Sequence, residues 1–315
     1  MSRHDSIMER AVNGVGEAAS PLEQRVTPAT VVRRDEPLAK HTTLRVGGPA
    51  DIYVEPASEP DLAAVLAYGQ DRGLEFLVLG RGSNLLVKDG GFRGVVICLA
   101  HAHFSRIEAV GERLNCGAGA RLKAVAVAAR RNNLSGLEFL EGIPGSVGGA
   151  LRMNAGAMGG AIFDVVESVR LMAFDGHLHE RTARELPAAY RSCPTLKAYL
   201  ALSAVLHGRP GSRAAIERQM SEYSRKRWQS QPVAPSAGCM FKNPASIPAG
   251  KLIDELGLKG TRVGGAVVSA EHGNFLVNEG TATARDVLEL IETIRQRARV
   301  DRGIELETEV QVVGE

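Results

Sequence analysis

The sequence predicts a globular protein of two or three domains that ends in a small α+β domain. Its 315 residues are enough for more than one hydrophobic core. Apolar residues make up 44% of the chain and charged residues 23%, as in ordinary globular proteins. Residues 208–212, Gly-Arg-Pro-Gly-Ser, have the composition of a linker, and short helical and strand patterns alternate after them. These observations place a domain boundary near residue 210.

Composition also limits the partners. The net charge is +2, so no overall electrostatic field favours nucleic acid or a membrane surface. The first 20 residues are polar, so neither a signal peptide nor a membrane span is predicted there. No two of the four cysteines have C-x-x-C spacing. We therefore expect reduced thiols, no metal site and a cytoplasmic location.

The N-terminal segment has the pattern of an extension. Residues 1–36 contain few large apolar side chains, and glycines interrupt the helical pattern of Met8–Val15. We expect this extension to be flexible and dispensable, with the fold beginning near residue 37. Beyond it, Asp51–Glu55 and Glu75–Leu79 are predicted strands, and Ser58 is the predicted cap of the helix between them.

A turn of small and polar residues follows the second strand, within Leu79–Val87. It lacks the third glycine and the following helix of a dinucleotide-binding fingerprint, and Ser83 lacks the glycine pattern of a nucleophile elbow. Backbone amides in such a turn can hold a diphosphate, with Ser83 and Asn84 as side-chain donors. A plain hairpin turn is the alternative interpretation.

The most glycine-rich stretch of the chain is Leu137–Gly160. It begins with apolar residues, turns at residues 142–145, and then continues with small residues as far as Ala157. Backbone with so few side chains can approach a large flat or phosphorylated ligand closely. A glycine-rich surface loop is the alternative, but a solvated loop does not need the apolar flanks.

Periodicity and turn residues predict the remaining elements. Before the boundary these are strands over Val95–Leu99, Leu114–Gly117, Val165–Phe174 and Leu200–Leu206 and a helix over Arg121–Arg131. After it they are helices over Arg213–Gln229 and Ala249–Leu256, strands over Ala266–Ser269 and Asn274–Asn278, a helix that follows Thr283, and a final strand over Glu305–Val313.

Several short motifs occur in order over nearly all of the chain beyond the extension. They are Thr42–Asp51, Gly80–Val87, Gly136–Gly156, Tyr190–Ser192, Gln231–Pro232, Gly238–Pro244, Val268–Asn278 and Leu306–Gly314. Each motif by itself is weak evidence for a protein family, but the ordered set is specific evidence. In this set the chain resembles the UDP-N-acetylenolpyruvoylglucosamine reductase family, in its shorter subclass.

This resemblance implies an α+β fold of the vanillyl-alcohol-oxidase type. In that fold two α+β subdomains hold FAD between them, and a small α+β domain closes over the substrate. We expect the FAD to be noncovalent, because the sequence shows no sign of a flavin attachment site. The FAD-binding region is then expected at residues 37–210, with subdomains at about 37–100 and 101–210. The substrate-binding domain is expected at residues 211–315, with its final strand returning to the active site.

The resemblance also implies which residues contact FAD, and most of them lie in the two glycine-rich stretches. They are Gly80, Arg81, Gly82, Ser83, Asn84, Leu85, Gly117, Gly142, Ile143, Pro144, Gly145, Ser146, Gly148, Gly149, Asn154 and Gly156.

The implied activity is the NADPH-dependent reduction of UDP-N-acetylglucosamine enolpyruvate to UDP-N-acetylmuramate, a step of peptidoglycan synthesis that serves cell-wall biogenesis, cell shape and cell division. Hydride from reduced flavin adds to the vinyl carbon, and charge develops beside the carboxylate. Arg191 matches the arginine of the family's active site, and Glu309 matches its glutamate. The residues expected to bind substrate are Tyr190, Arg227, Gln231, Lys242 and Asn243.

Cys239 departs from the family pattern, because the usual proton donor at this position is a serine. A thiol can also donate a proton, so Cys239 is the expected donor. The alternative is a small buried cysteine without a function.

Two other functions stay open from the sequence: an FAD-dependent oxidase of an alcohol or sugar on the same fold, and a UDP-sugar binder without catalysis. The oxidase would not need the 238–244 segment together with Arg191 and Glu309. The binder is prompted by the missing serine. A monomer is favoured over an oligomer.

Overall fold

A computed structural model of the chain describes residues 20–315. The predicted helical pattern at Met8–Val15 lies outside the described residues.

The first part of the fold is a four-stranded sheet with a helix on one side. Its strand order is β1-β2-β5-β3; β1 is antiparallel to β2, and the other pairs are parallel. Ser58 Oγ accepts a hydrogen bond from the amide of Asp61, as the predicted helix cap requires. The elements are β1 (Val31–Pro37), β2 (Pro49–Glu55), α1 (Glu59–Asp71), β3 (Phe76–Leu79), β4 (Leu85–Val87) and β5 (Phe92–Cys98).

The fold begins upstream of residue 37, which corrects the predicted start. Leu22 is completely buried in the largest hydrophobic core, and β1 pairs with β2 along its length. Asp61 accepts hydrogen bonds of 2.8 Å from both the amide and the hydroxyl of Thr27. The low apolar content misled the prediction, because this segment is held by one buried leucine and by backbone pairing.

The second part is a five-stranded antiparallel sheet in the order β12-β11-β13-β7-β6. Its core is continuous with that of the first sheet and also includes Ile216 and Met220 from the following helix. Its elements are β6 (Ile107–Val110), β7 (Arg113–Gly117), α2 (Leu122–Arg131), β8 (Leu134–Ser135), α3 (Val147–Met153), β9 (Gly156–Ala157), β10 (Gly160–Ala161), β11 (Val166–Ala173), β12 (Leu178–Thr182), β13 (Tyr199–His207) and β14 (Arg209–Pro210).

The third part has a core of its own around an antiparallel sheet in the order β15-β18-β17-β16. Thr283 caps the long helix α6, whose apolar face is buried as its periodicity predicts. The elements are α4 (Arg213–Ser230), β15 (Ser236–Cys239), α5 (Ala249–Glu255), β16 (Arg262–Val263), β17 (Ala266–Val268), β18 (Phe275–Asn278), α6 (Ala284–Arg302) and β19 (Gln311–Val313).

The final strand is shorter than the predicted Glu305–Val313. Within residues 305–313 only β19 forms a strand, and it lies parallel to β4 in the first part of the fold. Leu306 and Val310 are buried in the core of the third part, and between them Thr308 forms an isolated antiparallel bridge with Phe241. The segment that connects α6 to β19 therefore crosses between two parts of the molecule, and Glu309 lies on it.

Candidate active site

One large cavity lies where the three parts meet. Its volume is about 1200 Å³, which exceeds the ~300–1000 Å³ of most small-molecule pockets. Both glycine-rich stretches line it, together with the end of α4, β15 and the segment before β19. The predicted residues on its wall are Gly80, Arg81, Gly82, Ser83, Asn84, Leu85, Gly142, Ile143, Pro144, Gly145, Ser146, Gly148, Gly149, Gly156, Arg191, Arg227, Gln231, Cys239 and Glu309.

Backbone N–H groups on this wall are available to a ligand. Within residues 20–315, the amides of residues 81–84 and those of Gly145 and Ser146 have no protein acceptor. Gly82 has a φ of +60°, and a Cβ there would lie 2.3 Å from the carbonyl oxygen of His41. Only glycine fits that position. A concave run of free amides is a site for an anionic group such as a diphosphate.

The two glycine-rich stretches contact each other. A Cβ on Gly80 would lie 2.9 Å from Ser146 Oγ, and one on Gly148 would lie 3.1 Å from the Cβ of Ala118. A Cβ on Gly142, by contrast, would meet no atom within 4 Å, although the residue is buried. Glycines thus leave the wall without side chains that would fill the cavity. The residues present fit a large ligand that carries a diphosphate, such as FAD.

The hydroxyl of Ser83 and one hydrogen of the Asn84 side-chain amide are already bonded to protein, which corrects part of the prediction. Ser83 Oγ donates to the carbonyl of Pro144 at 2.7 Å. Asn84 Nδ2 donates to the carbonyl of Glu309 at 3.1 Å, and the Asn84 carbonyl accepts from the amide of Gln311. Both side chains thus hold the cavity wall together, and their backbone amides remain for a cofactor.

Gly117 and Asn154 were expected to contact FAD, but neither lines the cavity. A Cβ on Gly117 would lie 2.1 Å from the carbonyl of Phe104, so this glycine serves close packing. Asn154 ends α3 with a φ of +40°, and its Nδ2 donates to the carbonyl of Ala189 at 3.2 Å. It therefore supports the turn that carries Arg191.

Arg191 and Glu309 form an ion pair on the cavity wall. Arg191 Nε donates to Glu309 Oε1 at 2.7 Å, and both side chains are largely buried. Arg191 has a φ of +55° in a turn closed by two backbone hydrogen bonds between Ala189 and Ser192. A bulky residue in this backbone conformation is strained, so the surrounding turn must hold it there.

Burial raises the pKa of the Glu309 carboxyl above its usual value, and the charges of Arg191 and Lys242 oppose that rise. The main chain of Glu309 is also fixed, since its amide donates to the carbonyl of Met240 at 2.8 Å. Glu309 is thus positioned next to the residue that follows Cys239.

Cys239 ends β15 and lines the same cavity. Burial raises the pKa of its thiol to about 11, and the nearby carboxylate of Glu309 adds to the rise. The charge of Arg191 and the polar side chain of Asn274 act in the opposite direction. The thiol is therefore protonated at neutral pH. Cys239, Arg191 and Glu309 come from three separate segments and converge on one cavity.

The five residues expected to bind substrate divide into two groups. Gln231 lines the cavity, as does Arg227, which donates to the carbonyl of Gly142 through Nη1. Tyr190, Lys242 and Asn243 do not line it.

Each of these three side chains makes other contacts. Tyr190 is 57% exposed and packs on the guanidinium of Arg191. Lys242 forms an ion pair with Glu307. Asn243 Oδ1 accepts from the amide of Ala249 at 3.0 Å at the start of α5.

Sequence reasoning missed several large side chains on the cavity wall, among them Arg45, Arg152 and Trp228. Arg152 is a half-buried arginine within the glycine-rich stretch, and burial lowers its pKa. A charged residue among small and apolar ones was the available signal there. Nothing in the local sequence distinguished Arg45 or Trp228 from solvated residues.

The fold and the cavity define an FAD-dependent oxidoreductase, and comparisons with known proteins identify its family. Residues 50–182 match an FAD-binding domain, and residues 230–313 match the C-terminal domain of UDP-N-acetylenolpyruvoylglucosamine reductase. The chain belongs to the UDP-N-acetylenolpyruvoylglucosamine reductase family, and the predicted vanillyl-alcohol-oxidase-type fold with a small α+β domain is confirmed.

Relatives resemble the chain over most of its length. It is 43% identical to the UDP-N-acetylenolpyruvoylglucosamine reductase of Clostridioides difficile, over 90% of this chain and 94% of that protein. It is 46% identical to the reductase of Geobacter metallireducens, with the same two coverages. The crystal structure of the Thermus caldophilus reductase superimposes with a TM-score of 0.79 at 39% identity, covering 90% of this chain and 99% of that one.

No helix within residues 20–315 is both long and apolar enough to cross a membrane.

Proposed function

We propose that the protein reduces UDP-N-acetylenolpyruvoylglucosamine to UDP-N-acetylmuramate in the synthesis of peptidoglycan precursors, with NADPH as the hydride donor. Membership of the family supports the overall reaction. The observation that carries the mechanism is the convergence of Arg191, Glu309 and Cys239 on one cavity whose wall also presents free backbone amides.

The amides of residues 81–84, Gly145 and Ser146 would hold the diphosphate of FAD, and the cavity would enclose the rest of the cofactor. FAD, when bound, accepts a hydride from NADPH and delivers it to the vinyl carbon of the substrate. The chain supplies orientation, charge stabilisation and a proton.

Arg191 is suited to bind the substrate carboxylate. Its Nε is occupied by Glu309, but within the described residues neither Nη nitrogen has a protein acceptor. Those two nitrogens can bind a planar carboxylate and stabilise the charge that develops on the adjacent carbon. Glu309 fixes the guanidinium in that orientation through the 2.7 Å contact.

Cys239 donates the proton in this proposal. Burial raises the pKa of its thiol to about 11, so the thiol carries its proton throughout the physiological range. The proton goes to the carbon beside the carboxylate, and the electron pair of the S–H bond stays on the sulfur as a thiolate.

The test is the rate of NADPH oxidation by the holoenzyme with and without the enolpyruvyl substrate. We expect rapid flavin reduction by NADPH, followed by flavin reoxidation when UDP-N-acetylenolpyruvoylglucosamine is added. A flavin that NADPH does not reduce would support an oxidase instead. Binding of the UDP-sugar without turnover would support a non-catalytic binder.

A cytoplasmic location and a monomeric state also belong to this proposal. Both substrates are small molecules, and all four cysteines are free thiols, as in a reducing compartment. Light scattering on the purified holoenzyme would test the monomer, and a mass twice that of the chain would contradict it.

A further inference from the structure

The cavity wall carries many more cations than anions. Among the described residues, Glu309 is the only carboxylate that lines it. The cations divide by exposure: Arg45, Arg81, Arg121 and Lys197 are exposed, whereas Arg152, Arg191 and Arg227 are half-buried. Water screens the exposed charges, but a half-buried charge needs a partner that the solvent supplies only in part.

Two of the three half-buried arginines have a partner in the protein, and Arg152 has none within residues 20–315. Arg191 Nε donates to Glu309, and Arg227 Nη1 donates to the carbonyl of Gly142. No carboxylate or carbonyl accepts a hydrogen bond from the guanidinium of Arg152 in this part of the chain. A charged group that is removed from water without a partner is destabilising, so a ligand that supplies an anion would relieve this cost.

The thiol of Cys193 lies near Arg152 but is not its counter-ion. Burial raises the pKa of that thiol, so it is neutral at physiological pH. Burial also lowers the pKa of Arg152, as expected for a cation without an anionic partner. A guanidinium nevertheless keeps its charge in proteins, so Arg152 presents a positive charge to the cavity at neutral pH.

The position of Arg152 on α3 separates it from the expected diphosphate of FAD. The free amides proposed to hold that diphosphate include that of Ser146, which is the N-cap of α3. Arg152 comes six residues later, so its backbone lies about 9 Å further along the helix axis. This places Arg152 toward the other end of the helix.

That end of the helix is bonded to the turn that carries Arg191. The carbonyl of Arg152 accepts from the amide of Cys193 at 3.1 Å, two residues after Arg191. Asn154 Nδ2 donates to the carbonyl of Ala189 at 3.2 Å, two residues before it. Arg152 and Arg191 therefore lie on two joined segments of one cavity wall.

We propose that Arg152 binds the diphosphate of a nucleotide substrate, beside the arginine that binds the carboxylate. This inference rests on the proposed function. The N–H groups of a guanidinium match the oxygens of a phosphate, and such a pair is strong where water is partly excluded. In UDP-N-acetylenolpyruvoylglucosamine the carboxyl-bearing group and the diphosphate are attached to the same sugar ring, so two neighbouring arginines suit one substrate molecule. NADPH also carries a diphosphate, and the test separates the two sources.

The test is the binding of UDP and of NADP+ to the oxidised holoenzyme, measured by isothermal titration calorimetry. Neither ligand is consumed, so the Kd does not depend on turnover. Arg152→Gln removes the charge, and loss of a hydrogen bond between charged groups should raise the Kd about 10- to 100-fold. A rise for UDP alone assigns Arg152 to the sugar nucleotide, a rise for NADP+ alone to the reductant, and a rise for both to a shared site. Unchanged Kd values for both ligands would overturn the proposal.

Lys197→Gln is the matched control, because Lys197 is an exposed cation on the same cavity wall. It removes an equal charge that water already screens, so both Kd values should stay within about twofold of the wild type. Equal losses in Lys197→Gln and Arg152→Gln would show an effect of overall charge and would overturn the proposal. Arg152→Lys should recover part of the affinity, because it keeps the charge but not the planar fork.

Two further measurements complete the test. A crystal structure of the wild-type holoenzyme with UDP needs no variant to fold, and a guanidinium of Arg152 beyond hydrogen-bond distance of UDP, with the Kd for NADP+ unchanged in Arg152→Gln, would overturn the proposal. Lower flavin content in Arg152→Gln, with unchanged Kd values for UDP and NADP+ once FAD is restored, would assign Arg152 to FAD and overturn it too.

The wild type distinguishes this inference from the proposed function. A wild-type holoenzyme that binds neither UDP nor NADP+ would contradict the proposed function itself. A wild type that binds UDP and NADP+ no more tightly than Arg152→Gln does would overturn only the role of Arg152.

Discussion

At the scale of single residues, the proposed chemistry depends on three side chains with opposing effects on one another. Glu309 raises the pKa of the Cys239 thiol, Arg191 lowers it, and Arg191 is itself bound to Glu309. Burial is the largest effect on both acids, and it raises both pKa values. The protein thereby keeps a thiol protonated beside an arginine, a combination that would otherwise favour the thiolate.

The pH dependence of substrate reduction should reveal the thiol. Only the protonated form donates, so the rate should hold through neutral pH and fall as the pH rises toward about 11. In Cys239→Ser this alkaline decline should disappear, because a serine hydroxyl keeps its proton there. Stopped-flow measurement of flavin reoxidation by substrate checks this. A decline at the same pH in Cys239→Ser would assign it to another group.

The ion pair between Arg191 and Glu309 predicts different effects on the two half-reactions, which are flavin reduction by NADPH and flavin reoxidation by the substrate. Arg191→Ala and Glu309→Gln should keep FAD and accept hydride from NADPH, but reduce substrate about 10²-fold more slowly, since one preorganised electrostatic group is lost. Glu307→Gln is the control, because Glu307 is exposed and pairs with Lys242 instead. Equal slowing of both half-reactions by Arg191→Ala would show that the arginine is not specific to the substrate.

At the scale of elements, the glycine at the tightest turn allows a matched pair of variants. Gly82 and Gly111 have φ values of +60° and +59°. A Cβ on Gly82 would clash with His41, whereas one on Gly111 would meet no atom within 4 Å. Gly111→Ala should lose about 1 kcal/mol from backbone strain, and Gly82→Ala should lose more because of the added clash. Only Gly82→Ala should also lose bound flavin, measured as the flavin-to-protein absorbance ratio. Equal flavin content would contradict the role of this turn.

The segment at residues 20–37 gives a second prediction at this scale. Leu22→Ala removes a completely buried side chain from the largest core and should lower the free energy of unfolding by about 2–5 kcal/mol. Leu178→Ala, at a position 47% exposed, should have little effect. Equilibrium unfolding in urea measures both. Similar midpoints would show that residues 20–37 contribute little, as the sequence had predicted.

Local signals predicted the elements that local chemistry determines. Ser58 and Thr283 cap helices where the sequence placed them, and the glycine-rich stretches line a cavity. The other elements are determined by contacts with residues that are distant in the sequence. β1 is stabilised by its partner strand, Thr308 forms a single bridge with Phe241, and Asn84 bonds the C-terminal segment. None of those partners is near in sequence, so no local pattern could indicate them.

At the scale of the whole molecule, the third part is joined to the first through a few specific contacts. Leu44 and Val46 belong to the third core although they precede β2 in the chain. Thr43 Oγ1 donates to the carbonyl of Ser236 at 2.6 Å, and β19 pairs with β4. The cavity lies between the parts that these contacts join. A cofactor bound there touches all three and should stabilise their arrangement.

We expect FAD to be bound without a covalent bond. We also expect it to stabilise the fold through its diphosphate. Mild acid should release all of the flavin into the supernatant, and colour in the precipitate would contradict this. Adding FAD to the stripped protein at a hundred times its Kd should stabilise it by about 2.7 kcal/mol, seen as a higher thermal midpoint. Riboflavin has no diphosphate for the amides of residues 81–84, so it should raise the midpoint far less. An equal shift with riboflavin would show that these amides do not bind the diphosphate.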